Sequence, residues 1–194
     1  MNTTLFELLH SLSRQSNWSD SLITFFAESF GWLVIASVLI LPFTVLRPQR
    51  QNASGNTGAQ PSARVFTYPL LALAAAVIAR LGVTQLIRHF YFRPRPFAVL
   101  DDLTPLFYHP ATATFPSGHA SFFFALATII FLWNRKVGIV YFLFAAAISL
   151  SRVIAGIHWP VDIVAGAVVG MGTGIALWHA FRAVTCSRMR RVPR

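Results

Sequence analysis

His158 and Asp162 stand four residues apart, the spacing that lays two side chains over one another on a helical turn. A carboxylate so placed can fix the tautomer of the imidazole and stabilise its charged form, as the third member of a hydrolytic triad does. Pro160 between them is compatible with a helix start, where no backbone N–H is needed. A second histidine, His119, follows Ser117-Gly118 and has no carboxylate near it in sequence. Arg88, Arg93 and Arg95 come before it and Ser151-Arg152 after it. Several guanidiniums together with the free N–H groups of a helix opening at Ser117-Gly118 make a site for a dense anion, for which phosphate is the natural candidate. One histidine attacking phosphorus, another protonating the leaving oxygen, and arginines neutralising the charge of the transition state form a complete chemistry. It asks for no metal and no cofactor. Singly, each piece has an ordinary use: arginines beside a membrane touch headgroups, Pro-Ser-Gly starts helices, and a lone histidine is commonly a polar tip. The combination is what points to one anionic substrate.

These residues need elements that bring them together, and the composition says of what kind. The chain has 194 residues, 55% hydrophobic and 11% charged, with a mean hydropathy of +0.59, whereas an average soluble domain is about 25% charged. That excludes disorder and an ordinary soluble domain. A net charge of +10 raises nucleic-acid binding, but such proteins are not this apolar; membrane lipid is the partner the composition fits. A bilayer crossing takes about 20 mostly apolar residues. Five such runs appear, at 22–46, 65–87, 115–133, 137–157 and 159–181. The expected fold is therefore all-α, a single multi-pass helical bundle over 1–194. Leu5, Leu8, Leu9 and Leu12 recur at helical spacing behind a Thr4 to Glu7 capping box, which predicts a short interfacial amphipathic helix at 4–14. Met1 to Trp18 is too polar for the apolar core of a leader, so none is expected to be cleaved. Segment 47–64 reads as a polar connector, 88–118 as the long loop carrying the chemistry, and 182–194 as a basic tail. The single cysteine, Cys186, permits no intramolecular disulfide and leaves the redox compartment open.

Lys and Arg accumulate on the cytoplasmic side of membrane proteins. Arg47, Arg50, Arg64, Arg135, Lys136, Arg182, Arg188, Arg190, Arg191 and Arg194 fall on one side, against Arg14, Arg88, Arg93, Arg95 and Arg152 on the other. This puts the C-terminus in the cytoplasm and 88–118 outside. Up-and-down alternation then collects the end of span two, the start of span three and the link between spans four and five at the same outer surface.

Arg88-x6-Arg95-Pro96, Pro116-Ser117-Gly118-His119 and Ser151-Arg152-x5-His158-x3-Asp162 resemble the three-part signature of the type 2 phosphatidic acid phosphatase superfamily. The resemblance implies that His158 forms a phosphohistidine, Asp162 orients it, His119 is the general acid, and Arg95, Ser117, Gly118 and Arg152 hold the phosphoryl group. Arg88, which the resemblance assigns to the same phosphate-binding set, stands where the signature has Lys; it keeps the charge and loses the compact point-charge geometry. Tyr91-Phe92-x-Pro94-Arg95-Pro96-Phe97, the run at 111–117, and Leu5-Phe6-x3-His10-x-Leu12-Ser13 look most like bacterial undecaprenyl-diphosphate phosphatases of the bacitracin-resistance type. That implies hydrolysis of undecaprenyl diphosphate to the monophosphate at the outer face of the plasma membrane, recycling the carrier lipid. The alternatives are a phosphatidylglycerophosphate, phosphatidate or broad-range lipid phosphatase of the same superfamily and, in another class, a carrier that only binds lipid phosphate. A carrier has no use for a His-Asp pair and a second His.

Two features lie outside that signature. Glu28 and Arg80 sit at matching depths in spans one and two, about 10 Å below the outer surface at 1.5 Å per residue, and buried charges at such depth ask for a partner. An ion pair between them under the site is expected. Gly166, Gly170 and Gly174 form a small-residue stripe on span five that lets another helix approach, within the chain or in a second copy.

Overall fold

The computed structural model describes residues 2–45 and 64–189. The 47–64 connector, apart from its last residue, and residues 190–194 of the tail lie outside the described residues, as does the side chain of Cys186. All the secondary structure described is helical. Helix α1 spans Asn2–His10. The first crossing combines α2 (Asn17–Thr24), a π-helical turn (Phe25–Ser29) and α3 (Phe30–Val45). The second combines α4 (Arg64–Val77), a π-helical turn (Ile78–Val83) and α5 (Thr84–Phe90). Then come α6 (Gly118–Trp133), α7 (Arg135–Ile154) and α8 (Pro160–Met189). Four helical stretches, Asn17–Pro42, Phe66–Phe90, Arg135–Ile154 and Pro160–Thr185, are long and apolar enough to cross a membrane, and Gly118–Trp133 is a shorter apolar helix.

Helix α6 tolerates its shortness because protein, not lipid, surrounds it. Ala120, Phe123, Leu126, Ala127, Ile129 and Ile130 on different faces are all buried, against α4, α7 and α8. The glycine stripe explains how α8 comes so close. A Cβ on Gly166 would lie 2.6 Å from the Ser117 carbonyl, one on Gly170 2.5 Å from the Ser121 carbonyl, and one on Gly174 2.9 Å from Thr128 Cβ. The stripe therefore serves packing within the chain, and it sets the start of α8 beside the start of α6. At the far end Tyr68 stacks on Trp133 and packs on Trp178, with centroids 5.6 and 5.5 Å away.

The N-terminal helix differs from the expectation at both ends. Thr4 lies inside α1, which is already helical at Asn2; the capping box that forms instead is Ser16 with Ser19, opening α2. Helix α1 ends at His10, whose ring hydrogen-bonds the Ile154 carbonyl at 2.8 Å, and Arg14 turns the chain with φ 61°. Phe6 is buried against Trp159, ring centroids 5.0 Å apart, while Leu5, Leu8 and Leu12 face outward. One stripe thus grips the α7–α8 turn and the other remains for the interface.

Candidate active site

Three segments meet at one end of the bundle. Helix α7 ends at Ile154, and Gly156 reverses the chain with φ +83°, a left-handed conformation glycine adopts without penalty. The turn delivers His158, 2% exposed, just ahead of α8. Pro160 opens α8 and places Asp162, fully buried, in its first turn. The Trp159 N–H donates to Asp162 Oδ2 at 2.8 Å, an N-cap style bond that locks the carboxylate. Arg93 reaches Asp162 Oδ1 at 3.4 Å and lies 5.5 Å above the Trp159 ring.

The pair expected from the four-residue spacing is present in modified form. His158 Nδ1 stands 3.5 Å from Asp162 Oδ2, beyond a good hydrogen bond. Thr114 fills the gap. Its hydroxyl donates to Asp162 Oδ2 at 2.6 Å and sits 2.8 Å from His158 Nδ1. With that proton committed to the carboxylate, the short contact requires Nδ1–H to donate to Thr114, which leaves the Nε2 lone pair free. Burial, reinforced by Arg152, Arg95 and Arg88, holds the His158 imidazole well below the usual histidine range, so it is neutral. Sequence reasoning missed Thr114 because it is 44 residues from His158 and belongs to a loop.

Helix α6 starts at Gly118 with Ser117 at its cap, and the Ser117 N–H donates to the Asp162 carbonyl at 2.9 Å. Thr84 Oγ1 donates to Ser121 Oγ at 2.8 Å, and Ser121 Oγ to the Ser117 carbonyl at 3.0 Å, tying span two to this start. Arg152, 3% exposed, donates from one terminal nitrogen to the Ala27 carbonyl at 2.6 Å and to His119 Nε2 at 3.3 Å. Ala27 belongs to the π-helical turn of span one, and widened turns of this kind recur at functional sites. Arg95 donates to the Ile157 carbonyl at 2.8 Å, steadying the residue before His158. Burial first, then Arg88, lowers its guanidinium to about 10. Arg95 Nε, Arg152 Nε and Ser117 Oγ are buried with no protein partner, which is donor capacity suited to an anion.

Arg88 is used differently from those two. It donates to the Pro116 carbonyl at 2.9 Å, with a 3.5 Å approach to the Thr114 carbonyl. Its fork holds the strand of chain that presents Thr114 and Ser117. His109, which sequence reasoning did not single out, is half-buried within electrostatic reach of Arg95, Arg152 and Arg88. Burial first, then the arginines, lowers it to about 4.

Glu28 and Arg80 form no ion pair among the described residues, contrary to the expectation. Equal depth fixes height along the helices but not the direction each side chain takes. Arg80 lies along Gly118, where a Cβ would be 3.6 Å from Arg80 Cγ and 3.8 Å from Nε, whereas Glu28 is exposed. Both line a cavity of about 420 Å³ that also has His119 on its wall. Trp32, Val77 and Leu81 line it too and face outward from the bundle. The cavity therefore joins the polar site to the lipid-facing surface.

The sequence profile of the PAP2 superfamily matches residues 69–186. The chain is 32% identical over 179 residues to undecaprenyl-diphosphatase BcrC of Bacillus subtilis, covering 92% of this chain and 83% of that protein. Its fold resembles Aquifex aeolicus LpxE with a TM-score of 0.69 at 24% identity, over 92% of this chain and 94% of the other. It also resembles a PAP2 type phosphatidylglycerolphosphate phosphatase of Bacillus subtilis, with a TM-score of 0.60 at 18% identity, over 94% and 87%.

Proposed function

Because this chain belongs to the PAP2 superfamily, and so is a membrane lipid phosphatase, we propose that its substrate is undecaprenyl diphosphate. It releases phosphate and returns undecaprenyl phosphate at the outer face of the bacterial plasma membrane, recycling the carrier lipid of wall synthesis. The observation that carries this is the His158–Thr114–Asp162 relay beside unpartnered phosphate donors and at the head of a cavity open to lipid. The similarity to undecaprenyl-diphosphatase BcrC over most of both chains supports the choice of lipid. The outward orientation is supported by the lopsided Lys and Arg placement, with Arg135 and Lys136 at the bundle end opposite the site.

His158 Nε2 attacks the terminal phosphorus. The N–P bond forms as the P–O bond to the bridging oxygen breaks, and the lipid monophosphate departs with its bridging oxygen protonated through His119. Water then attacks the phosphohistidine, giving its proton to His119 as the N–P bond breaks and inorganic phosphate leaves. Arg95, Arg152, Ser117 Oγ and the Gly118 N–H hold the non-bridging oxygens. Asp162, through Thr114, balances the positive charge on the phosphorylated imidazole.

A panel of lipid phosphates presented to the purified protein tests the substrate. Faster phosphate release from undecaprenyl diphosphate than from phosphatidylglycerophosphate and phosphatidate supports the proposal. The opposite preference moves the substrate to glycerolipids, as with the phosphatidylglycerolphosphate phosphatase of similar fold. Release from none of them contradicts the proposal.

A further inference from the structure

We propose that Arg80 binds the second, lipid-linked phosphate of a diphosphate substrate, and that it is the residue by which the site favours lipid diphosphates over monophosphates. This rests on the proposed direction of cleavage. The guanidinium makes no hydrogen bond or ion pair among the described residues, although it sits in the π-helical turn of a membrane-spanning stretch. A charge at membrane depth is costly and marks a function when it has no protein partner. Arg80 is also close to the reacting centre, since its Cγ and Nε lie against Gly118 at the start of α6.

The position of His119 decides which phosphate Arg80 would meet. His119 hands its proton to the oxygen between the two phosphorus atoms, so everything beyond it belongs to the leaving group. His119 is on the wall of the cavity that also holds Arg80 and then continues between apolar Trp32, Val77 and Leu81. A leaving group placed there has its phosphate next to Arg80 and its hydrocarbon along those walls. Arg95, bonded to the Ile157 carbonyl, and Arg152, bonded to the Ala27 carbonyl and to His119, do not line that cavity and remain with the terminal phosphate. Glu28 shares the cavity, and its carboxylate raises the cost of a second anion there. Among the described residues that line the cavity, Arg80 is the cation able to offset it. A monophosphate ester, whose leaving group is uncharged, gains nothing from it.

The test compares the full-length wild type with Arg80→Gln and Arg80→Lys in detergent. It uses undecaprenyl diphosphate and phosphatidate as substrates, and inorganic pyrophosphate and phosphate as competitive inhibitors. A lost charge-assisted fork is worth roughly 10- to 100-fold. Arg80→Gln should therefore lose about that factor more in kcat/KM on the diphosphate than on phosphatidate. Inhibition by pyrophosphate should weaken by about tenfold relative to inhibition by phosphate, and Arg80→Lys should fall between. Equal losses on both substrates, or pyrophosphate inhibition that tracks phosphate inhibition in every variant, would overturn the proposal. Should Arg80→Gln not fold, Arg80→Lys against wild type decides by the same inhibitor ratio. A wild type that ignores undecaprenyl diphosphate refutes the substrate assignment, while the pyrophosphate ratio still judges Arg80.

Discussion

Thr114 Oγ1 lies 2.6 Å from Asp162 Oδ2 and 2.8 Å from His158 Nδ1, while the carboxylate and imidazole themselves are 3.5 Å apart. The orienting contact of this site therefore passes through a hydroxyl. Thr114 is fully buried, and the Arg93 carbonyl fixes its backbone N–H at 3.0 Å, so the hydroxyl has one place to be. Removing it leaves a buried carboxylate and a buried imidazole short of a partner.

Thr114→Val, nearly isosteric, is expected to lower kcat by about 10- to 100-fold through the wrong tautomer and a weaker charge balance, with KM little changed. Thr114→Ser keeps the hydroxyl and should stay within a few-fold of wild type. Steady-state kinetics on both variants check this; equal activity of the two would remove Thr114 from the account.

The close approach of α8 to α6 gives a stability prediction. Gly170→Ala puts a Cβ 2.5 Å from the Ser121 carbonyl and 2.9 Å from the Ala125 nitrogen, atoms of backbone that cannot swing away. Overpacking of this kind costs about 1–3 kcal/mol. Gly172, where a Cβ meets nothing within 4 Å, is the control. Thermal unfolding in detergent should show a clear drop for Gly170→Ala and little change for Gly172→Ala.

Acid should destabilise the fold through its neutral histidines. His158 is held well below the usual range and His109 at about 4. As pH falls through the ordinary histidine value near 6.5, the unfolded chain binds protons that the folded chain does not. Stability therefore decreases from about pH 7 downward until the folded-state values are reached. His109→Gln removes one such site. Its melting temperature should fall less between pH 7.5 and 5 than that of the wild type; an identical fall in both would refute the assignment to His109.

The four-residue step from His158 to Asp162 was legible because helix geometry converts it directly into proximity, and the apolar runs located four helices long enough to cross a membrane and the shorter apolar helix Gly118–Trp133. Their convergence at one end follows from alternation alone. Thr114 was not legible, since a loop residue acquires its neighbours only through the path that Arg88 and Arg93 impose on the backbone. The π-helical turns at Phe25–Ser29 and Ile78–Val83 leave no mark in hydropathy. Yet they bring the Ala27 carbonyl to Arg152 and set the direction of Arg80. The expected Glu28–Arg80 pair failed on that direction: depth can be counted in residues, but azimuth depends on such local widening.

Orientation is open to a reporter that works only in the cytoplasm. It should be active when fused after Arg194 and silent when inserted at Asp101-Asp102, in the loop on the active-site side. The reverse would put the site inside and withdraw the role in recycling an outer carrier lipid.

In the proposed mechanism phosphorus passes through His158. Undecaprenyl diphosphate labelled with ³²P in its terminal phosphate, mixed with excess enzyme and quenched in alkali, where an N–P bond survives, traps the intermediate. Label is expected on the peptide containing His158 in the wild type, and none in His158→Ala, together with loss of turnover. Label absent from the wild type while phosphate is released, with His158→Ala still turning over, would contradict it.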